Sequence, residues 1–298
     1  MSTVNRRAFV KGAALLSGMA VLPSRTNADT SLPQKGILIS MLPEKLSYLD
    51  RFKLAAELGF KGIEMQTIGD AKVADEARDA STKSGVRIHS VMNMDHWKYP
   101  LSSDNLQDVK RSVQGMATSL RNAKLWGADT VLLVPGVVNP KTSYRDAYTR
   151  SQKVIREQIL PLAQELQVVI AIEEVWNKFL LSPLEFVAYV DEFRSPWIKA
   201  YFDVGNVVLY GYPQDWIRTL RKRIVKIHLK DFSMDRAKDM FYWKNLGEGD
   251  IDWPEVRKAL GEIAYSGYVT LEIEGGDATY LKDVSRRVDR FLSGQKPA

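Results

Sequence analysis

From about residue 35 onward, short apolar runs alternate with longer stretches in which apolar positions recur every three or four residues. The runs are "GILISML" (36–42), "GIEM" (62–65), "VRIHSV" (86–91), "DTVLLVP" (129–135), "VVIAIEE" (168–174), "IKAYFDV" (198–204), "IVKIHL" (224–229) and "YVTLEIE" (268–274). Their lengths and β-branched content predict strands, and their nearly unbroken apolarity is that of strands buried on both faces of a parallel sheet. The amphipathic stretches predict helices over 46–58, 71–84, 105–126, 144–167, 182–194, 213–222, 252–265 and 277–293. Ser182-Pro183 and "DWPEV" (252–256) open two of them with a cap and a first-turn proline. Gly59, Gly85 and Gly127 stand where a left-handed residue would close three others.

Eight strands in strict alternation with eight helices predict an α/β protein, a single (β/α)8 TIM barrel, in preference to an open doubly wound sheet. No GxGxxG or GxxxxGK[ST] occurs at a strand–helix turn, so dinucleotide and P-loop readings have no support. The barrel is expected to occupy residues 29–298. Residues 1–28 read differently. "NRRAFVKGAALLSGMAVLPSRTNADT" has a basic start, an apolar stretch too short to span a bilayer and a small-residue end. Arg6-Arg7 followed by Ala8, Phe9, Val10 and Lys11 resembles a twin-arginine signal, with cleavage expected near Ala28. That resemblance implies passage through the export machinery as a folded protein, a periplasmic or otherwise extracytoplasmic location, and no stable membrane anchor.

Composition narrows the function. The formal charge of +6 falls to +2 when residues 1–28, with Arg6, Arg7, Lys11 and Arg25 and no acidic residue, are removed. A chain so close to neutral, without a basic run, does not read as a nucleic-acid binder. The absence of cysteine excludes thiolate metal sites and a cysteine nucleophile.

In a (β/α)8 barrel the chemistry lies at the C-terminal ends of the strands. Strand 2 ends near Glu64, strand 3 carries His89, strand 5 ends at Glu173-Glu174, strand 6 near Asp203, strand 7 near His228, and strand 8 with Glu272 and Glu274. Carboxylates converging on one rim repel each other, and a divalent cation removes that repulsion. Two Glu, one Asp and one His form an oxygen-rich set suited to one Mn²⁺, Mg²⁺, Co²⁺ or Zn²⁺. Adjacent residues face opposite sides of a strand, so only one of Glu173 and Glu174 can point inward.

The segments "AIEEVWN", "YFDVGNV", "KIHLKD", "LGEGDIDW" and "GYVTLEIEGG", in this order, resemble the xylose-isomerase-like barrels, closest to the sugar (or sugar-phosphate) 3-epimerases and the hydroxypyruvate isomerases, over about residues 36–293. The resemblance implies a divalent metal held by Glu173, Asp203, His228 and Glu272. It implies a sugar isomerase or epimerase acting on a ketose or keto-sugar derivative by proton transfer through an enediolate, with Glu173 and Glu272 exchanging the protons. Glu64, His89, Trp176, Asn206, Lys230 and Glu274 are candidates for substrate contact, although Lys230 reads first as a solvated surface lysine. Trp97, Trp176, Phe179, Tyr242 and Trp243 are candidates for the pocket wall. Asn206 stands where many 3-epimerases of this kind carry a histidine; it can hydrogen-bond a hydroxyl but cannot titrate. Two other readings share the same residues: a lyase or hydrolase of keto sugars or glycosides, and a non-catalytic sugar-binding protein. A multi-zinc nuclease on the same barrel would need more than the three histidines present. The expected partner is a small sugar, and a homo-oligomer is compatible with the sequence.

The signal makes a direct prediction. Replacing Arg6 and Arg7 with lysine should leave the precursor in the cytoplasm, as read by cell fractionation. Undiminished export of that variant would point to the general secretion route.

Overall fold

The computed structural model describes residues 32–298 apart from Arg236 and Asp239. The expected signal segment lies outside the described residues. The elements in chain order are β1 (Gln34–Leu38), α1 (Tyr48–Glu57), β2 (Gly62–Gln66), α2 (Ala71–Ser84), β3 (Arg87–Met92), α3 (Leu106–Trp126), β4 (Thr130–Leu133), α4 (Tyr144–Val154), α5 (Leu160–Leu166), β5 (Val169–Glu173), α6 (Pro183–Asp191), β6 (Ile198–Asp203), α7 (Pro213–Leu220), β7 (Ile224–Leu229), β8 (Asp231–Asp235), β9 (Met240–Lys244), α8 (Trp253–Glu262), β10 (Tyr268–Leu271) and α9 (Ala278–Leu292). Eight parallel strands close into a barrel in the order β1-β10-β7-β6-β5-β4-β3-β2. The fold is the expected (β/α)8 barrel.

Local chemistry sets the boundaries. Ser47, Asp70, Asn105, Ser143, Ser182, Asp252 and Asp277 each cap a helix by accepting from a backbone N–H of its first turn. Gly85 and Gly127 close α2 and α3 at φ of 73° and 70°, which a side chain would resist. The amphipathic stretch 144–167 is divided. A π turn over Ile155–Ile159 separates α4 from α5, where Pro161 has no N–H to continue the α-helical ladder.

Two features go beyond the expected strand–helix pattern, one in the chain path and one in the packing of the barrel interior. After β7 the chain makes an antiparallel hairpin, β8–β9, before reaching α8, and this hairpin was not expected from the sequence. Its outer strand exposes Met240, Phe241, Tyr242 and Trp243. The second is at the N-terminal side of the barrel, where His89 fills the interior. Its ring stacks on Tyr268 with centroids 4.1 Å apart, and its Nε2 lies 3.1 Å from Thr270 Oγ1. Gly36 and Gly62 leave room for it, since a Cβ on Gly62 would sit 2.7 Å from His89 Cδ2. Among the described residues no helix is long and apolar enough to cross a membrane.

Candidate metal centre and pocket

β5, β6 and β7 are paired in register, with Glu173 opposite Tyr201 and Asp203 opposite His228. Thr270 on β10 also pairs with His228, so Glu272 emerges just beyond the same level. The barrel closure thus brings four residues together at its C-terminal end. One ligand atom from each of Glu173, Asp203, His228 and Glu272 lies within 4.8 Å of the other three. His228 Nδ1 is 3.1 Å from Glu173 Oε1, 3.0 Å from Glu272 Oε2 and 3.8 Å from Asp203 Oδ2.

The other face of the same imidazole is held from behind. His228 Nε2 lies 2.5 Å from Glu64 Oε2, and both side chains are fully buried. With Nε2–H donating to Glu64, Nδ1 faces the three carboxylates; against burial, Glu272 and its neighbours raise the imidazole well above its usual range, and holding a cation would require Nδ1 to give up its proton. A carboxylate behind a histidine in this way fixes its tautomer and raises its basicity as a ligand. Glu64 is therefore a support for His228, and its burial keeps it from the substrate contact expected of it. His89 is corrected in the same sense: stacked on Tyr268 in the barrel interior, it is a packing residue.

Lys230 is the unforeseen member of the cluster. Its Nζ lies 2.8 Å from Asp203 Oδ2 and 2.7 Å from Glu272 Oε2, and its side chain is only 13% exposed. Burial alone would favour the neutral amine, but the Asp203 and Glu272 charges outweigh it and hold the ammonium above the usual lysine range. The solvated-lysine reading is thus overturned. Gly205 makes the approach possible, since a Cβ there would collide with Lys230 Cγ.

The carboxylates respond to the same crowding. Burial, reinforced by Glu272 and Asp203 and opposed by His228, pushes Glu173 up to about 7. Burial also raises Asp203. Glu272 is lowered because His228 and Lys230 overcome its own burial. Asp203 Oδ2 and Glu272 Oε2 are buried without an aligned hydrogen bond, although Lys230 is within ion-pair distance of both. Three carboxylates and an imidazole nitrogen facing one another, with buried oxygens lacking aligned donors, fit a hard or borderline divalent cation. Glu174, whose orientation the sequence left open, is buried away from the cluster with neither oxygen hydrogen-bonded. Burial, with Asp203 and Glu173 nearby, raises it well above the carboxylate range.

A cavity of about 250 Å³ opens on this cluster, bounded by Glu173, Trp176, Asn206, Lys230, Trp243 and Glu272. Met92, His96, Trp97, Leu132 and Val175 complete its wall. Trp176 stacks on Trp243 at 4.9 Å, and its Nε1–H donates to the Asn206 carbonyl. The Asn206 amide donates to the Glu174 carbonyl, so one of its two N–H groups is committed to the loop. Of the other aromatic candidates, Phe179 is buried against Tyr144, Tyr148 and Tyr189, away from the cavity. Glu274 is exposed and lines a second, outer cavity.

His96 was missed. It is one of three histidines, in the loop after β3, and "MNMDHW" has no strand-end pattern to mark it. Its Nδ1 accepts from Val134 N–H at 3.4 Å, which leaves Nε2 as the protonated nitrogen. Burial lowers its pKa to about 3, so at neutral pH it is an uncharged donor beside the carboxylate cluster.

The "GEGD" segment has a defined role. Asp231 Oδ2, fully buried at the start of β8, accepts from Gly247 N–H at 2.8 Å, Gly249 N–H at 3.1 Å and Trp253 Nε1–H at 2.8 Å. The glycines allow the backbone to close on this carboxylate; Gly247 has φ of 88° and a Cβ on Gly249 would collide with Asp231.

A family model described as a xylose isomerase-like TIM barrel matches residues 52–290. L-ribulose-5-phosphate 3-epimerase UlaE of Escherichia coli O1:K1 / APEC is 26% identical over 254 residues, covering 80% of this chain and 86% of that protein. Among solved structures, a D-tagatose 3-epimerase-like protein superposes with a TM-score of 0.74 at 20% identity, covering 87% of this chain and 97% of that one. The 3-keto-D-glucoside 4-epimerase YcjR from E. coli superposes with a TM-score of 0.72 at 14% identity, covering 88% and 99%. These structural likenesses speak for the fold.

The geometry separates Glu64 from His96 experimentally. Glu64→Leu leaves the buried His228 Nε2–H without a partner, and should weaken divalent-metal affinity by about 10–100-fold and lower stability by about 1–3 kcal/mol. Glu64→Gln, which keeps an acceptor, should restore most of both. His96→Phe should leave metal affinity intact and weaken sugar binding about five- to tenfold, the worth of one hydrogen bond. Metal titration, thermal unfolding and ligand calorimetry read the three effects.

Proposed function

The chain belongs to the xylose isomerase-like TIM barrel family, and from that premise we propose that it is a divalent-metal-dependent sugar isomerase or epimerase. The observation that carries the proposal is the convergence of Glu173, Asp203, His228 and Glu272 at the C-terminal end of the barrel, each with a ligand atom within 4.8 Å of the others. The relatives' names support it: one acts on a phosphorylated ketose and another on a keto-glucoside, and both are named epimerases.

In this reading Glu173, Asp203, His228 and Glu272 hold the ion, with Mn²⁺, Mg²⁺, Co²⁺ and Zn²⁺ all compatible with the donor set. When bound, such an ion supplies Lewis-acid stabilisation of negative charge developing on a ketose oxygen. The protein's own groups move the protons. Glu173, buried in the cluster beside His228, is the carboxylate placed to take or return a proton beside the carbonyl. Glu272, with a ligand atom within 4.8 Å of those of the other three, is the partner group for the second proton transfer. Removal of the proton beside the carbonyl gives an enediolate. Return to the opposite face of the same carbon is epimerisation, and return to the neighbouring carbon is isomerisation. His96 Nε2–H and the free N–H of Asn206 orient hydroxyls, while Trp176 and Trp243 cover the apolar face of the sugar and exclude water.

Turnover in deuterated water should place deuterium on the carbon beside the carbonyl. Glu173→Gln and Glu272→Gln should each lower the rate by about 10²–10⁴-fold, with metal content measured alongside because an amide oxygen remains a ligand. His228→Ala should lose the metal with the fold intact. Full activity of both glutamine variants, or of metal-free protein in chelator, would refute this function.

A further inference from the structure

The cavity over the carboxylate cluster is not a closed cup. A second cavity of about 660 Å³ adjoins it, and Lys230, Trp243 and Glu272 line both. The inner space, about 250 Å³, lies below the range of about 300–1,000 Å³ usual for small-molecule sites, whereas the outer one falls within it. A single small polyol reaching the metal ligands would fill the inner space and leave the outer one to solvent. The two are neighbours, with Lys230, Glu272 and the indole of Trp243 as their common wall.

The chemistry of the outer cavity restricts what enters it. Its ionisable lining is Lys230, Lys244, Glu248, Glu272 and Glu274. Lys230 is engaged by Asp203 and Glu272, and Glu248 pairs with Arg287 at 2.7 Å. What remains is the exposed Lys244 against the exposed Glu274, with no excess of positive charge. In this fold a phosphate is usually held by the loops after the seventh and eighth barrel strands and by a nearby helix N-terminus. Here those loops present Glu248 and Glu274, and the first turn of α9 is already capped by the Asp277 carboxylate, which accepts from Tyr280 N–H at 2.9 Å. A phosphate dianion placed there would face carboxylates and a capped helix end. A neutral polyhydroxylated ring would instead meet acceptors at Glu274, an amide at Asn245 and the aromatic faces of Trp243 and Tyr280. The Tyr280 hydroxyl donates to Asn245 Oδ1 at 2.8 Å, which holds the amide in place and leaves its N–H groups available.

We propose that the substrate is an uncharged saccharide of two units, or a glycoside, whose reacting sugar occupies the inner cavity and whose second unit lies in the outer cavity between Trp243 and Tyr280. The proposal rests on the isomerase reading for the identity of the reacting sugar, but its binding geometry is independent of the reaction. It excludes a phosphorylated monosaccharide as the preferred ligand.

Unreactive ligands test it on the metal-loaded protein. Calorimetry would compare a panel of disaccharide alditols, maltitol among them, with the parent monosaccharide alditol and its terminal phosphate. The best disaccharide alditol should bind at least about tenfold more tightly than the monosaccharide, since a well-packed second ring with one or two hydrogen bonds commonly exceeds that factor. The phosphate should gain nothing over the free alditol. Tyr280→Ala and Trp243→Ala should each reduce disaccharide affinity by at least about fivefold, and more than they reduce that of the monosaccharide. Trp243 is 53% exposed and packs on Phe232 and Trp176, so thermal unfolding of its variant accompanies the calorimetry. Equal affinity across the panel, absence of disaccharide binding, or preference for the phosphate would overturn the proposal. Tight disaccharide binding with no deuterium exchange on any keto sugar would instead remove the isomerase reading and leave this one standing.

Discussion

Three carboxylates, an imidazole and an ammonium, all largely buried, share one end of the barrel. At low effective dielectric, like charges at such separations cannot coexist without compensation. The architecture around Glu173, Asp203, His228 and Glu272 supplies it in layers. Glu64 polarises His228 from below. Lys230 neutralises Asp203 and Glu272 from above. Backbone N–H groups of Gly205 and Asn206 hold the other oxygen of Asp203 at 2.7 and 2.9 Å. Remove any layer and a buried charge is left unpaired, which costs several kcal/mol in ordinary proteins.

The same demand explains why the barrel is shaped as it is at this end. Lys230 must thread past the loop after β6 to reach the cluster, and Gly205 is the residue that lets it through. Below, Gly36 and Gly62 make space for His89 on Tyr268, which fills the barrel interior on its N-terminal side. Charge near the C-terminal end of the strands and close packing toward the other end divide the barrel interior between chemistry and stability.

Much of this was legible in the sequence, because strand and helix periodicities differ and parallel strands bury both faces. The eight barrel strands, most helix limits and the residues of the cluster follow from that pattern and from the order of the motifs. Depth along a strand was not legible. Glu64 and His89 sit on inward-facing strand positions like the others, yet one lies behind His228 and the other in the packed interior, because register between strands is set by pairing across the barrel. Lys230 could not be told from a surface lysine without knowing that Gly205 opens a path to Asp203. His96 lies in a loop, where no periodicity exists to point it anywhere. The β8–β9 hairpin is a local pairing of two short runs, and its aromatic outer strand resembles loop sequence when no partner is assumed.

That hairpin begins and ends at one carboxylate. Asp231 opens β8, and the N–H groups of Gly247 and Gly249 return to its side chain. The excursion between them is therefore a loop closed at its base, anchored there by buried Asp231 and by Phe232 packed on Trp176. Near its base it contributes Trp243, paired with Phe232, to the cleft, but nothing to the strand pairing of the barrel. Such a segment can lengthen, shorten or exchange its side chains without disturbing how the barrel folds. In evolutionary terms the wall of the cleft is separable from the cluster beneath it: substitutions in β8 and β9 can reshape the wall, while Glu173, Asp203, His228 and Glu272 stay where the barrel puts them.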